Sequence, residues 1–292
     1  MSFKLGISGQ LLGGALSLSD ICTDVLKKYD VDYIEIWPEN IPSAGKEAHP
    51  DSYFYRDAFS AKDILDKYNI KVSAVSVSAA FIAEFSQNPE IYSVQLCEAV
   101  ETAAGLKAEF VNHYCFNLSL NALDREYIKK SMSPALELAK KRGITLILEN
   151  EAHDMTKTPE MMLDILNIFN DDSFLTTFDP TNYYQAGIEG YPYAYDTLKD
   201  KIGYVHIKNG RIYAGTPYSD KNLLGGEMMG IFSGKKIEYC TADSGAVNIG
   251  GLLRRLKQDN YCGYIILEPH VPQKYADIFY EKEVDYINSF RG

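Results

Sequence analysis

Paired cysteines are missing from this sequence. Cys22, Cys97, Cys115, Cys240 and Cys262 are scattered and odd in number, and none stands in a Cys-x-x-Cys spacing. That argues against a disulfide framework and suits a reducing compartment, so the cytoplasm is the expected location. No apolar run approaches the ~20 residues that a membrane helix needs, and no membrane partner is expected. Positive charge is also short: 29 Lys and Arg against 40 Asp and Glu leave a net charge of −11. A field of that sign repels phosphate backbones, which argues against nucleic acid as a partner. The opening Met-Ser-Phe-Lys-Leu-Gly runs straight into a strand-like segment, so no signal peptide is expected. A Gly-x-Gly-x-x-Gly fingerprint is lacking too, since Gly9-Gln-Leu-Leu-Gly13-Gly14 has the wrong spacing. An open dinucleotide-binding sheet is therefore disfavoured.

What is present is a regular alternation. The chain has 292 residues and is 46% hydrophobic, which suits a soluble globular protein. Short β-branched or aromatic runs alternate with longer helical patterns from end to end, the signature of βαβ units around a parallel sheet. Eight strands are expected near 3–8, 32–37, 71–77, 108–114, 144–149, 174–179, 202–208 and 263–268. Apolar stripes at Ile64-Leu65-Tyr68, Val94-Cys97-Ala99 and Leu136-Leu138-Ala139 mark helices between them. Thr158 as N-cap, Pro159 at the first helical position and Glu160 in the first turn predict a helix start. Pro134 predicts that the helix around Ser131–Lys141 starts or kinks there. Eight units in this length leave little for anything else, so a single-domain α/β (β/α)₈ TIM barrel spanning 1–292 is the expected fold. Two connections, Pro38 to Arg56 and Asn209 to Val247, are long and follow strand C-termini. In a barrel that is the catalytic face, and both are expected to cover a substrate.

Four strands end in groups able to bind a metal. They read Ile-Thr-Leu-Ile-Leu-Glu149, Phe-Leu-Thr-Thr-Phe-Asp179, Ile-Gly-Tyr-Val-His206 and Tyr-Ile-Ile-Leu-Glu268. Singly, each has an ordinary structural reading as a loop cap, an ion-paired carboxylate or a satisfied polar residue. Together, on strands that neighbour one another in a barrel, they converge at one mouth. A charge closing an apolar buried strand is costly unless paired or metal-bound. Three carboxylates and one imidazole suit one divalent ion, with Mn²⁺ favoured over Zn²⁺, Mg²⁺ or Co²⁺.

The runs Leu148-Glu149-Asn150, Phe178-Asp179-Pro180-Thr181-Asn182, Val205-His206-Ile207-Lys208-Asn209 and Gly263-Tyr-Ile-Ile-Leu-Glu268 resemble the sugar phosphate isomerase/epimerase family. This is the xylose isomerase-like barrel group, which holds ketose 3-epimerases, hydroxypyruvate isomerase, inosose dehydratase and endonuclease IV. The resemblance covers nearly the whole chain and is strongest from Glu149 onward, including Tyr183-Tyr184-Gln-Ala-Gly-Ile and the Gly245 to Leu252 segment. It implies the ligand set Glu149, Asp179, His206 and Glu268, with Glu149 and Glu268 also the catalytic acid/base pair. The implied activity is carbohydrate metabolism: isomerisation or epimerisation of a ketose or related polyol through an enediolate. The alternative is a dehydratase or lyase acting on a keto-sugar, and a remote one is a non-catalytic sugar-binding barrel, which would be expected to lose a ligand. The partner is a small sugar, with a homo-oligomer as a further expectation.

Substrate-binding candidates are Trp37, His113, Glu151, His153, Asn182, Lys208 and Arg211. Trp37 could stack on a sugar ring or pack in the core. His113 could face the site or be a hydrogen-bonded barrel histidine. Lys208 could hold a substrate oxygen or pair inside the barrel with Glu35. Arg211 could hold an anionic group or be an exposed loop arginine. Asn182 stands where related enzymes often carry a substrate-contacting histidine. The endonuclease branch is disfavoured: the chain has five histidines, serine stands at 76 and 78, and no Asp-x-His follows His206.

Overall fold

The computed structural model describes residues 3–12, 15–42, 58–77, 88–115, 125–152, 154–212, 231–232, 235–271 and 275–291. Most of the two long connections, and His153, lie outside the described residues.

Eight parallel strands close into a barrel. They are β1 (Lys4–Ser8), β2 (Tyr33–Ile36), β3 (Lys71–Ser76), β4 (Phe110–His113), β5 (Thr145–Glu149), β6 (Phe174–Phe178), β7 (Ile202–Ile207) and, after three short strands, β11 (Tyr264–Leu267). The order around the barrel is β1-β11-β7-β6-β5-β4-β3-β2, and closure comes where Ile7 pairs with both Leu267 and Ile34. Each strand lies where the apolar runs predict it.

Period 2 divides the side chains between two environments. Outward-facing Leu5, Ile7, Ile34, Ile36, Val111, Leu146, Leu148, Val205, Ile207, Ile265 and Leu267 pack against the helices in one continuous core. Inward-facing Ala74, Ile147, Tyr204, Tyr264 and Ile266, with Tyr33, Phe110 and Leu175, plug the lower barrel. This aromatic plug supports the floor of the polar mouth above it. Gly6 belongs to the same layer. A Cβ there would meet Ile266 Cδ1 at 2.5 Å, so glycine is what lets that isoleucine fill the lumen.

The helix Pro159–Phe169 starts as predicted, with the Thr158 hydroxyl accepting from Met161 N–H at 3.3 Å. Pro134 does not start its helix. The helix Arg125–Arg142 runs through it. Ile128, Met132, Ala135, Leu136 and Ala139 are buried along one face on both sides of the proline, and that packing outweighs one lost helical hydrogen bond. The stripe through Val94 also needs correction. Helix Pro89–Leu106 buries Tyr92, Leu96, Ala99, Val100 and Ala103 and leaves Val94 exposed. Among the described residues, no helix is long and apolar enough to cross a membrane.

The connection from Asn209 to Val247 is not a plain loop. It carries a three-stranded antiparallel sheet of β8 (Asn209–Ile212), β9 (Ile231–Phe232) and β10 (Lys235–Cys240) in the order β8-β10-β9. Asn209 ties this sheet to the barrel. Its Nδ2 donates to the carbonyls of Ala242 and Val247, both at 2.9 Å, and its Oδ1 accepts from the N–H groups of Gly210 and Val247. Residue 245 must be glycine for this clamp to fit, since a Cβ would lie 2.1 Å from Asn209 Oδ1. Asn209→Ala should therefore destabilise the protein by about 2–4 kcal/mol, because it strands two buried carbonyls. Urea denaturation measures it; a loss under ~0.5 kcal/mol would mean that water replaces the amide.

Candidate metal centre

The alternation that builds the barrel aims one polar side chain inward from the end of each of several strands. Glu149 closes β5, Asp179 follows β6, His206 lies in β7 and Glu268 follows β11. Each of the four offers a ligand atom, and these atoms all lie within 4.8 Å of one another. All four residues are buried.

Local structure explains how they are held. Asp179 caps the helix Pro180–Gln185: its Oδ1 accepts from Thr181 N–H at 2.8 Å and Asn182 N–H at 2.9 Å, which turns Oδ2 toward the pocket. Asn150 clamps the ends of β5 and β6, accepting from Asp179 N–H at 2.8 Å and donating to Asp179 O at 2.9 Å. The Glu268 N–H donates to Ile207 O at 2.9 Å, which carries the β11–β7 ladder one residue past the strand. Asn112 Nδ2 donates to Glu149 Oε2 at 2.8 Å, while Asn112 Oδ1 accepts from the Thr177 hydroxyl at 2.8 Å.

The electrostatics are one-sided. Glu35, Glu149, Asp179 and Glu268 are all buried, and among the described residues the basic groups in contact with them are His206, Lys208 and the part-exposed His270. His206 Nδ1 lies 3.0 Å from Glu149 Oε1 and 3.5 Å from Glu268 Oε2, and its Nε2 lies 2.6 Å from Glu35 Oε2. Lys208 Nζ is ion-paired with Asp179 Oδ2 at 2.7 Å and Glu268 Oε2 at 2.8 Å. Burial alone would push the His206 imidazole down, yet Glu149, Glu35 and Glu268 hold its pKa well above the usual value. Burial works against ionised Glu268, but Lys208 and His206 keep its carboxyl well below the carboxylate range. Burial pushes Glu35 and Asp179 up. Each buried ion costs several kcal/mol unless compensated, and among the described residues this pocket holds more anionic than cationic side chains. A divalent cation would restore the balance, and the oxygen-rich set with one imidazole could hold one.

The other candidates divide. Lys208 is in the centre, paired not with Glu35 but with carboxylates from the two strands that flank β7; Glu35 instead meets His206. Asn182 is buried beside Glu149, with Nδ2 3.5 Å from Glu149 Oε1 and 2.9 Å from Asn150 O. Glu151 is half-buried on the loop after β5, its N–H donating to the Thr156 hydroxyl, and burial together with Glu149 pushes its carboxyl well up. Trp37 is buried, its indole N–H donating to the Ser8 hydroxyl at 3.0 Å and its ring 6.3 Å from that of Tyr114.

Two candidates are not brought to the centre. His113 points outward: its neighbour Asn112 takes the inward position on β4, leaving the imidazole between strand and helix. There it bonds the Tyr92 hydroxyl at 2.9 Å and stacks on Phe174, and burial drives its pKa down to about 3. Arg211 lies on β8 in the small sheet, half-exposed, with its guanidinium on Glu238. Sequence reasoning missed Asn112 and His270. His270 Nε2 is 3.4 Å from Glu268 Oε2. The period-2 spacings Asn112 to Phe110 and His270 to Glu268 were the available signal.

A closed parallel barrel whose strand ends converge on a buried carboxylate–imidazole cluster defines the class: a (β/α)₈ barrel with a metal-competent mouth. A profile of the xylose isomerase-like TIM barrel family matches residues 23–289, and the chain belongs to that family. No curated protein matches the chain by sequence. Solved structures share its fold. A D-allulose 3-epimerase from Methylomonas sp. is 20% identical over 99% of this chain and 98% of its own, with a TM-score of 0.68. A probable 3-DHS dehydratase from Bacillus anthracis is 15% identical over 98% and 99%, at 0.68. A xylose isomerase-like barrel from Mycobacterium smegmatis in complex with magnesium is 13% identical over 99% and 97%, at 0.69.

Proposed function

We propose that this protein is a divalent-metal-dependent isomerase or epimerase that acts on a ketose or related polyol by moving a proton at the carbon next to the carbonyl. The observation that carries the reading is the placement of Glu149 and Glu268. They reach the same imidazole nitrogen from β5 and β11, with β6 and β7 between them, so two carboxylates flank one small space. Glu149, Asp179, His206 and Glu268 would hold a divalent ion, which when bound would polarise a carbonyl as a Lewis acid. Glu149 removes the proton from one side of the acidified carbon, and Glu268 delivers one from the other. Asn112 fixes the Glu149 carboxylate from behind. Lys208 sits beside Glu268, where it can donate to a substrate oxygen. Asn182 is a second donor at the same mouth. The sugar-epimerase name of the Methylomonas neighbour supports this class of substrate.

The test of the metal site is direct. Protein purified without chelator should contain about one divalent ion per chain by elemental analysis, and His206→Ala should abolish that content. Unchanged metal in the variant would sink the four-ligand site.

A second reading, elimination of water from a keto-sugar, is favoured by one feature. The Lys208 ammonium is a buried proton donor 2.8 Å from Glu268 and could protonate a departing hydroxyl. The probable dehydratase among the structural neighbours is consistent with it.

A further inference from the structure

Glu35 lies outside the four-ligand group, yet it makes the shortest contact to any member of it that involves a charged side chain on another strand. It sits on the inner face of β2, fully buried, and reaches across the lumen so that Oε2 stands 2.6 Å from His206 Nε2. The opposite ring nitrogen, Nδ1, faces the ligand carboxylates, 3.0 Å from Glu149 Oε1 and 3.5 Å from Glu268 Oε2. The two nitrogens therefore look at different partners. Both ring nitrogens stand at hydrogen-bond distance from a carboxylate, Nε2 from Glu35 and Nδ1 from Glu149, so the metal-free imidazolium can donate at each. Only Nδ1 looks into the four-residue cluster; if it gave up its proton to ligate an ion there, the proton left on the ring would be on Nε2, with Glu35 accepting it. Among the described residues Glu35 Oε1 has no hydrogen-bond partner.

We propose that Glu35 is the positioning residue of the metal centre: it locks His206 as an Nε2–H tautomer and so commits the ring to bind the ion through Nδ1. This rests on the metal reading above. The physical effect is twofold. The hydrogen bond holds the ring in one orientation, and the carboxylate raises the basicity of the ligating nitrogen. Position 35 thereby tunes the ion without touching it.

Zinc binding measured by calorimetry on the wild type, Glu35→Leu and Glu35→Gln tests this. Glu35→Leu should weaken binding by about 10–100-fold. Glu35→Gln keeps shape and can still accept through its amide oxygen, so it should fall between. Long-range ¹H–¹⁵N spectra of the zinc-loaded wild type read the tautomer without any variant: His206 should show Nδ1 metallated and a strongly deshielded Nε2–H, and that proton should move upfield in Glu35→Gln. Wild-type protein that binds no zinc would overturn the metal reading itself. Zinc binding with equal affinity in all three proteins, or zinc on Nε2, would overturn the role of Glu35 alone and leave the metal site standing.

Discussion

Turned over in D₂O, the sugar should gain deuterium at the carbon next to its carbonyl and otherwise keep its mass. In the proposed mechanism a carboxylate removes the proton and exchanges it with solvent before one is returned. Glu149→Gln and Glu268→Gln should each lower turnover by about 10²–10⁴-fold or more, because an amide cannot carry the proton. Both residues are also proposed ligands, so metal content must be measured in each variant. A variant that keeps its ion and loses turnover isolates the proton-transfer role. Mass spectrometry separates the rival chemistries. Elimination gives a product lighter by one water and a new enone or dione absorbance. Turnover with no solvent deuterium points to a hydride shift and removes the two glutamates from acid/base work.

The second large effect concerns stability. Lys208→Met should destabilise the metal-free protein by about 3–5 kcal/mol, since it removes the ammonium that contacts two buried carboxylates. Urea denaturation in EDTA measures the loss, and a divalent ion should restore much of it by supplying the missing positive charge. The loss should grow with pH. In the wild type, Lys208 and His206 hold Glu268 ionised well below the usual range, so its contribution to stability is present above the unfolded carboxylate pKa near 4 and is lost as pH falls through the depressed folded value. Without the ammonium, Asp179 and Glu268 must repel each other at neutral pH or take up protons. The variant and the wild type should therefore converge in acid and diverge toward pH 8. A variant as stable as the wild type in EDTA at pH 8 would show that water already screens the pocket.

Some of this site could be read along the chain and some could not, for a consistent reason. Thr145, Ile147 and Glu149 repeat every second residue, and so do Tyr204, His206 and Lys208; such local spacing states which face each side chain takes. His113 fails the same test. Counting from Phe110 puts Asn112 inward, and the histidine then faces the helices, where Tyr92 and Phe174 enclose it. The small sheet on β8 to β10 was hidden because it is held by the Asn209 clamp to Ala242 and Val247, contacts made over more than thirty residues. Pro134 was a correct local warning that burial of the face through Leu136 overruled.

By itself, then, the sequence determined the eight strands, their closure into one barrel and the four inward groups at their ends, because alternation and apolar runs are properties of neighbouring residues. Which charges meet was decided by tertiary structure alone. Lys208 goes to the strands beside it rather than to Glu35, and Glu35, 171 positions away from His206, crosses the lumen to claim the imidazole. Pairings of that kind depend on barrel curvature and strand tilt, which bring distant residues within 3 Å and leave no mark in the local pattern.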